Sequence, residues 1–303
     1  MYHRVLPDRV NPFCHVQPGM YVSTSVFERH LVFLRDHFEV VFLEDLLHRA
    51  ITGKSLSGLC AVTFDDGWRD NFSEAFPLLQ RYSVPATIFL ATGFVGTQRL
   101  FWPEELCSCL GRVELQQLTA EDAPSSLQHL GQLMIRLEDG DRDIFLDGCI
   151  AALKGFSPQA RREVMFRLAG LAGEQPIQRQ MLSWDEARAM AAGGLVAFGS
   201  HTVNHELLDQ LEPNTARKEI AGSCAIIEGE LGAPVRLFAY PNGNHTGLIR
   251  TLLAELGLHG AVTTKRGLVG HRVSTLEIPR IAMHEDVSRT IPLFRSRTLL
   301  PLF

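Results

Sequence analysis

The chain has 303 residues, a formal net charge of −5, and 46% hydrophobic against 21% charged residues. That balance belongs to a globular protein and excludes wholesale disorder or a long coiled coil. Lysines and arginines are scattered singly or as adjacent pairs such as Arg161-Arg162 and Lys265-Arg266, so no basic stripe exists to neutralise a phosphate backbone and no nucleic-acid partner is expected. The six cysteines, Cys14, Cys60, Cys107, Cys109, Cys149 and Cys224, form no CxxC pair and read as reduced. Residues 1–20 hold no secretory h-region, and no apolar run reaches about 18 residues, so a cytoplasmic chain without a transmembrane segment is expected.

In chain order, short apolar runs predict strands at Tyr2–Val5, Glu39–Leu43, Leu59–Phe64, Ala86–Ala91, Leu195–Gly199, Val235–Tyr240, Gly260–Thr263 and Arg280–Met283. Between them, apolar residues at i, i+3, i+4 and i+7 predict helices at Ser25–Asp36, Phe72–Tyr82, Trp184–Ala192, Asn214–Leu231 and Leu248–Leu256. Strands alternating with helices imply an α/β fold with a parallel sheet, and seven or eight strands are enough to close a (β/α) barrel. From about Pro103 to Arg179 the rhythm breaks: helical patterns recur at Leu127–Leu137, Asp143–Leu153 and Pro158–Leu168, with no convincing strand. A single domain spanning 1–303 with a helical insertion at about 103–180 is expected.

Three predicted strands end in residues that carry chemistry. Val62-Thr63-Phe64 runs into Asp65-Asp66-Gly67-Trp68, and adjacent strand residues point to opposite sides, so one acid can face a metal while its neighbour does not. On its own, Asp-Asp-Gly is equally a simple turn. Ala197-Phe198-Gly199-Ser200 ends in His201-Thr202-Val203-Asn204-His205, and a helical turn there would put both imidazoles on one face, one turn apart. Leu237-Phe238-Ala239 ends in Tyr240-Pro241-Asn242-Gly243, a turn able to aim a backbone N–H into a pocket as an oxyanion donor. In parallel α/β barrels the C-terminal strand ends open on one face, so the three segments can converge. One carboxylate and two imidazoles with open positions would be a catalytic site for a divalent metal.

Thr63-Phe64-Asp65-Asp66-Gly67 followed by His201-Thr202-Val203-Asn204-His205 resembles the first two motifs of the polysaccharide deacetylases, the NodB-homology group of carbohydrate esterases. The resemblance extends through Met1–Val5, Pro85–Leu90, Phe238–Gly243 and Pro279–Ile281. It implies a distorted (β/α) barrel, Asp65 as general base, and Asp66, His201 and His205 as ligands of zinc or another divalent ion. The implied reaction is removal of N-acetyl groups from an acetylated carbohydrate substrate, with the N–H near Asn242 stabilising the oxyanion.

Where many relatives carry an arginine in the third motif, this chain has Ala239. Arg280, opening the last predicted strand, is expected to stand behind Asp65 instead. The family's late general-acid histidine is assigned to His284, on the same side of that strand as Arg280, with His245 and His271 as competitors. Trp68, beside the acids, is a candidate sugar-stacking residue, and Tyr240 and Asn242 are candidate oxyanion or substrate contacts. His3 could line the pocket floor, although a buried structural histidine is the stronger reading. Two other readings stay open: a metal-independent amidase of a small cyclic amide or ureide, and a non-catalytic carbohydrate-binding protein. The apolar tail Ile291–Phe303 could be an interface, a membrane contact or simply packed.

Overall fold

In the computed structural model, which describes residues 1–8, 16–17, 19–119, 125–136, 142–173, 178–270 and 274–299, the chain divides into two units. One comprises Met1–Asp8, Tyr21–Arg99 and Arg179–Phe303, the other Arg9–Met20 and Leu100–Gln178. His271 and residues 300–303 of the apolar tail lie outside the described residues.

The first unit carries every strand found among the described residues. They are β1 (Arg4–Leu6), β2 (Tyr21–Ser23), β3 (Glu39–Val40), β4 (Leu59–Cys60), β5 (Val62–Phe64), β6 (Ala86–Leu90), β7 (Val196–Ser200), β8 (Leu237–Ala239) and β9 (Gly260–Val262). β1 pairs with β2 and β3 with β4, while β5 to β9 form one parallel sheet in sequence order. The helices Phe76–Tyr82, Pro213–Leu231 and Gly247–Glu255 lie on crossovers between sheet neighbours, as parallel pairing demands.

Side chains alternate between two apolar clusters. Ile88, Leu90 and Phe238 join Phe27, Leu79, Ile220 and Leu253 on one face. Phe89, Leu237, Ala239 and Val262 join Leu46, Leu47 and Ile278 on the other. Because both faces are covered, the strands read as unbroken apolar runs. At Gly199 an added Cβ would lie 2.6 Å from the Phe89 ring, so the second cluster closes only over a residue without a side chain.

The sheet has five strands where seven or eight were expected. Tyr2 bridges Phe64 beyond one edge and Ile278 bridges Val262 beyond the other. The predicted strand Arg280–Met283 does not form: the Arg280 N–H donates to Lys265 O and the Met283 N–H to Met1 O, both at 2.9 Å, so no continuous ladder develops. Pro279, lacking an N–H, sits just before this change of partner. Glu39–Leu43 shortens to β3 because Leu43, Leu46 and Leu47 form the buried stripe of a helix, Leu43–Ile51. The predicted helix Phe72–Tyr82 begins as a π-turn, Asn71–Ala75, before becoming α-helical at Phe76. Trp184–Ala192 is helical as expected, with a Ser183–Glu186 capping box at its start.

The second unit contains only helices among its described residues: Trp102–Leu110, Leu115–Thr119, Ser125–Arg136, Arg142–Lys154 and Pro158–Ala172. They enclose their own apolar core, including Leu106, Leu118, Leu130, Leu153 and Leu168. No described helix in either unit is long and apolar enough to cross a membrane.

Candidate active site and metal centre

β5 delivers two acids and then reverses. Asp66 (φ 76°) and Gly67 (φ 83°) are both left-handed, a conformation aspartate tolerates better than most residues and glycine without penalty. Gly67 is required twice over, because a Cβ there would sit 2.7 Å from Leu90 Cδ2. The reversed chain is pinned by the Leu182 N–H on Gly67 O (2.9 Å) and the Arg69 N–H on Gln180 O (2.7 Å). Asp66 Oδ1 consequently lies 3.4 Å from His201 Nε2 and 3.5 Å from His205 Nε2, while Asp66 Oδ2 accepts the Trp68 indole N–H at 2.9 Å.

β7 delivers the first imidazole. The His201 N–H continues the ladder onto Leu90 O (2.9 Å), and its Nδ1 lies 2.7 Å from Ala239 O. A carbonyl only accepts, so Nδ1 carries a proton there and Nε2 is the ring nitrogen turned toward Asp66. The segment to His205 does not take the helical turn that would stack the imidazoles on one helix face; it is a turn in which Thr202 (φ 66°) and His205 (φ 56°) are left-handed. Glu219, from the helix Pro213–Leu231, holds that turn: its carboxylate accepts the backbone N–H of Val203 (3.0 Å) and Asn204 (2.8 Å) and the Asn204 side-chain amide (2.8 Å). Nothing in the spacing of the sequence marks Glu219.

Candidate ligand atoms of Asp66, His201 and His205 all lie within 4.8 Å of one another. A carboxylate oxygen and two imidazole nitrogens, one with its tautomer fixed from behind, suit a divalent cation of zinc type. The electrostatics agree. Burial pushes the Asp66 carboxyl up, but the bond to His201 and the charges of the surrounding histidines carry it far below the carboxylate range. Burial lowers His205 to about 4, with His201 adding to the effect. Burial also opposes a charge on His201, yet the bond to Asp66 and both aspartate charges outweigh it and raise that ring. The cluster thus favours a positive charge between Asp66 and the imidazoles.

Asp65 takes no part in that cluster. Its Oδ1 and Oδ2 accept Arg280 Nη1 and Nη2 at 2.7 and 2.6 Å, a bidentate pair with both partners buried. Arg280 is itself fixed by Thr263 O on Nε (2.9 Å) and Thr63 Oγ1 on Nη1 (3.2 Å). Burial would raise the Asp65 carboxyl, but the Arg280 charge and hydrogen bonds bring it below the usual range. The guanidinium therefore stands behind Asp65 although the strand expected to carry it is absent.

The remaining candidates are placed differently. Trp68 is fully buried, with the Arg4 guanidinium 4.2 Å from its ring centroid, so it has no face to offer a sugar. Tyr240 is buried, stacks on His245 and donates its hydroxyl to Leu276 O (2.8 Å), which withdraws it from substrate contact. Asn242 is exposed and left-handed (φ 57°) in the turn Pro241–Gly243, and nothing among the described residues accepts from its backbone N–H. His284 caps the short helix Glu285–Ser288 and pairs with Asp286 at 3.2 Å; no described hydrogen bond or ion pair joins it to the cluster. His245 is held by Glu277 (2.9 Å) and Gly243 O (3.1 Å). His3 is half-buried; burial lowers its ring, opposed by the charges of Asp66 and Asp65.

Parallel strands end in a carboxylate–imidazole cluster that could hold a metal ion, with a second buried acid beside it, on an α/β sheet. A sequence profile of the polysaccharide deacetylases matches residues 53–128 and 148–261, and the chain belongs to that family. Among curated proteins, it is similar to the poly-beta-1,6-N-acetyl-D-glucosamine N-deacetylase of Staphylococcus aureus (33% identical over 78 residues, 25% of this chain and 27% of that protein). YxkH of Bacillus subtilis matches at 30% over 87 residues, 28% of this chain and 31% of that protein. The matched stretch thus spans under a third of these relatives. Among solved structures, the Streptococcus pyogenes deacetylase PplD in complex with acetate superposes with a TM-score of 0.64 at 19% identity, covering 99% of this chain and 96% of that one. IcaB from Ammonifex degensii gives 0.61 at 21%, covering 95% and 91%.

Proposed function

We propose that this chain is a metal-dependent deacetylase that hydrolyses N-acetyl groups on an amino-sugar polymer. The observation that carries the reading is the division of labour between adjacent acids: Asp66 faces two imidazoles, while Asp65 stays outside the ligand set, paired to Arg280.

A divalent cation, zinc or a similar ion, held by Asp66, His201 and His205 would supply Lewis acidity, polarising the acyl carbonyl and making water a stronger acid. Asp65 would take the proton from the attacking water. Each of its oxygens accepts one bond from Arg280 and retains a second acceptor site, so the pairing leaves it able to do so. Arg280 keeps the carboxylate ionised and oriented. The Asn242 N–H would donate to the oxyanion that develops on the acyl oxygen. The proton that the departing amine needs was expected from His284, which here pairs with Asp286, and no other histidine is assigned that role.

The substrate named for the staphylococcal relative makes a β-1,6-linked N-acetylglucosamine oligomer the first compound to assay, with chito-oligosaccharide as the comparison. Acetate release should be abolished by chelation and restored by zinc or another divalent ion. Release that persists in the chelated protein would favour the metal-independent amidase reading, and binding without release from any acylated sugar would favour a non-catalytic protein.

A further inference from the structure

Asp66 has two oxygens, and only one faces the histidines. The other accepts the Trp68 indole N–H at 2.9 Å. A two-residue reach from a side chain back to its neighbour is possible because Asp66 and Gly67 are both left-handed and fold Trp68 under the carboxylate. The indole is in turn immobilised. Trp68 forms an antiparallel bridge with Met181, and Arg4 lies 4.2 Å over its ring. Arg4 is held by Asp70 on Nε (2.8 Å) and by Gln180 on Nη2 (2.9 Å), while Asp70 also accepts the Val5 N–H (2.9 Å). Gln180 belongs to the same stretch, Gln180–Leu182, that pins the backbone of Gly67 and Arg69. A buried tryptophan that donates to one carboxylate oxygen, clamped on its ring by a buried arginine, is more apparatus than packing alone requires.

We propose that Trp68 is a positioning residue of the metal centre, fixing Asp66 so that Oδ1 alone is presented to the cation, with Arg4 and Asp70 fixing Trp68. This rests on the reading that Asp66, His201 and His205 bind a divalent ion. Without the indole N–H, the buried Oδ2 loses its partner and the carboxylate is free to rotate away from the imidazoles. Groups that orient metal ligands in this way typically change affinity about 10–100-fold when removed.

The test is zinc affinity of the whole chain, measured by competition with a chromogenic chelator, in the wild type and in Trp68→Phe, which keeps a ring beneath Arg4 and removes only the donor and some volume. Weakening of zinc binding by about 10–100-fold is expected; a Kd within about twofold of wild type overturns the proposal. The cobalt-substituted proteins should differ as well, with a shifted visible absorption spectrum in Trp68→Phe, a signature that a purely structural role would not produce in a folded variant. Should Trp68→Phe fail to fold, the ¹⁵N spectrum of the unaltered protein decides: one indole N–H resonance is expected to move on adding zinc, and none moving overturns the proposal. A wild type that binds no zinc overturns the metal-centre reading as well, whereas unchanged affinity in Trp68→Phe overturns this inference alone.

Discussion

Asp65 and Asp66 are neighbours, both buried and both held below the usual carboxylate range, yet they occupy different halves of the site. The Asp66 half is built from imidazoles and an indole, with only one carboxylate oxygen turned toward the histidines. The Asp65 half is built from a guanidinium that arrives from a distant, irregular segment and engages both oxygens. Two equally buried acids can therefore do opposite jobs, because one is surrounded by groups that can share a cation and the other by a group that already is one.

Arg280→Lys probes the second half most severely. A lysine keeps the charge but loses the planar fork, so Asp65 is held less firmly and its pKa rises. Turnover should fall about 10²-fold, within the usual contribution of a positioned base, while zinc affinity stays near wild type. The acid limb of the rate profile should move to higher pH, because a carboxylate that protonates more readily loses its basic form earlier as pH falls. A variant with wild-type rate and profile would remove Arg280 from the mechanism.

Glu219→Gln probes the first half more gently, since the amide oxygen can still accept from the turn between His201 and His205. Weakening the two charge-assisted backbone bonds from Val203 and Asn204 costs about 1 kcal/mol, so zinc affinity should drop by less than about tenfold, with Asp65-dependent chemistry unchanged once metal is saturating. No change in zinc titrations would show that the turn holds itself.

The smallest effect lies away from both halves. His30 Nε2 donates to Ser288 O (2.7 Å) and its Nδ1 faces the Tyr2 hydroxyl (3.2 Å), which fixes the ring as neutral beneath Phe294. Burial lowers its pKa to about 4. Below the unfolded value the unfolded chain takes up a proton that the folded chain refuses, so stability is full above about 6.5 and is lost as pH falls toward 4. Urea unfolding should show this slope, and His30→Gln should flatten it.

Much of the candidate cluster was legible only in combination: Asp-Asp-Gly alone is equally a turn and a lone His-x-x-x-His is a weak signal, but both end apolar runs whose C-terminal ends open on one face of a parallel sheet. Arg280 was legible for a different reason, since the arginine absent at Ala239 left a chemical vacancy behind Asp65. That the strand predicted at Arg280–Met283 would not form was not legible, because the switch of backbone partners from Lys265 to Met1 after Pro279 depends on tertiary pairing. Trp68 and Tyr240 were misread as substrate contacts, since sequence shows an aromatic beside an acid but not Arg4 lying over one ring or Leu276 O taking the other's hydroxyl. Glu219 left no local signal, because its role is created by a helix docking 14 residues beyond the histidine it supports. The helix Leu43–Ile51 was hidden by a β-like start, with its i, i+3, i+4 stripe only three residues wide.

The most direct measurement pairs Asp65→Asn with Asp66→Asn and reads zinc affinity and single-turnover acetate release in each. Asp65→Asn should bind zinc as the wild type does and release acetate slower by about 10²–10⁴-fold, whereas Asp66→Asn should lose both. Zinc binding that depends equally on the two acids, or acetate release that survives in Asp65→Asn, would contradict the division between them.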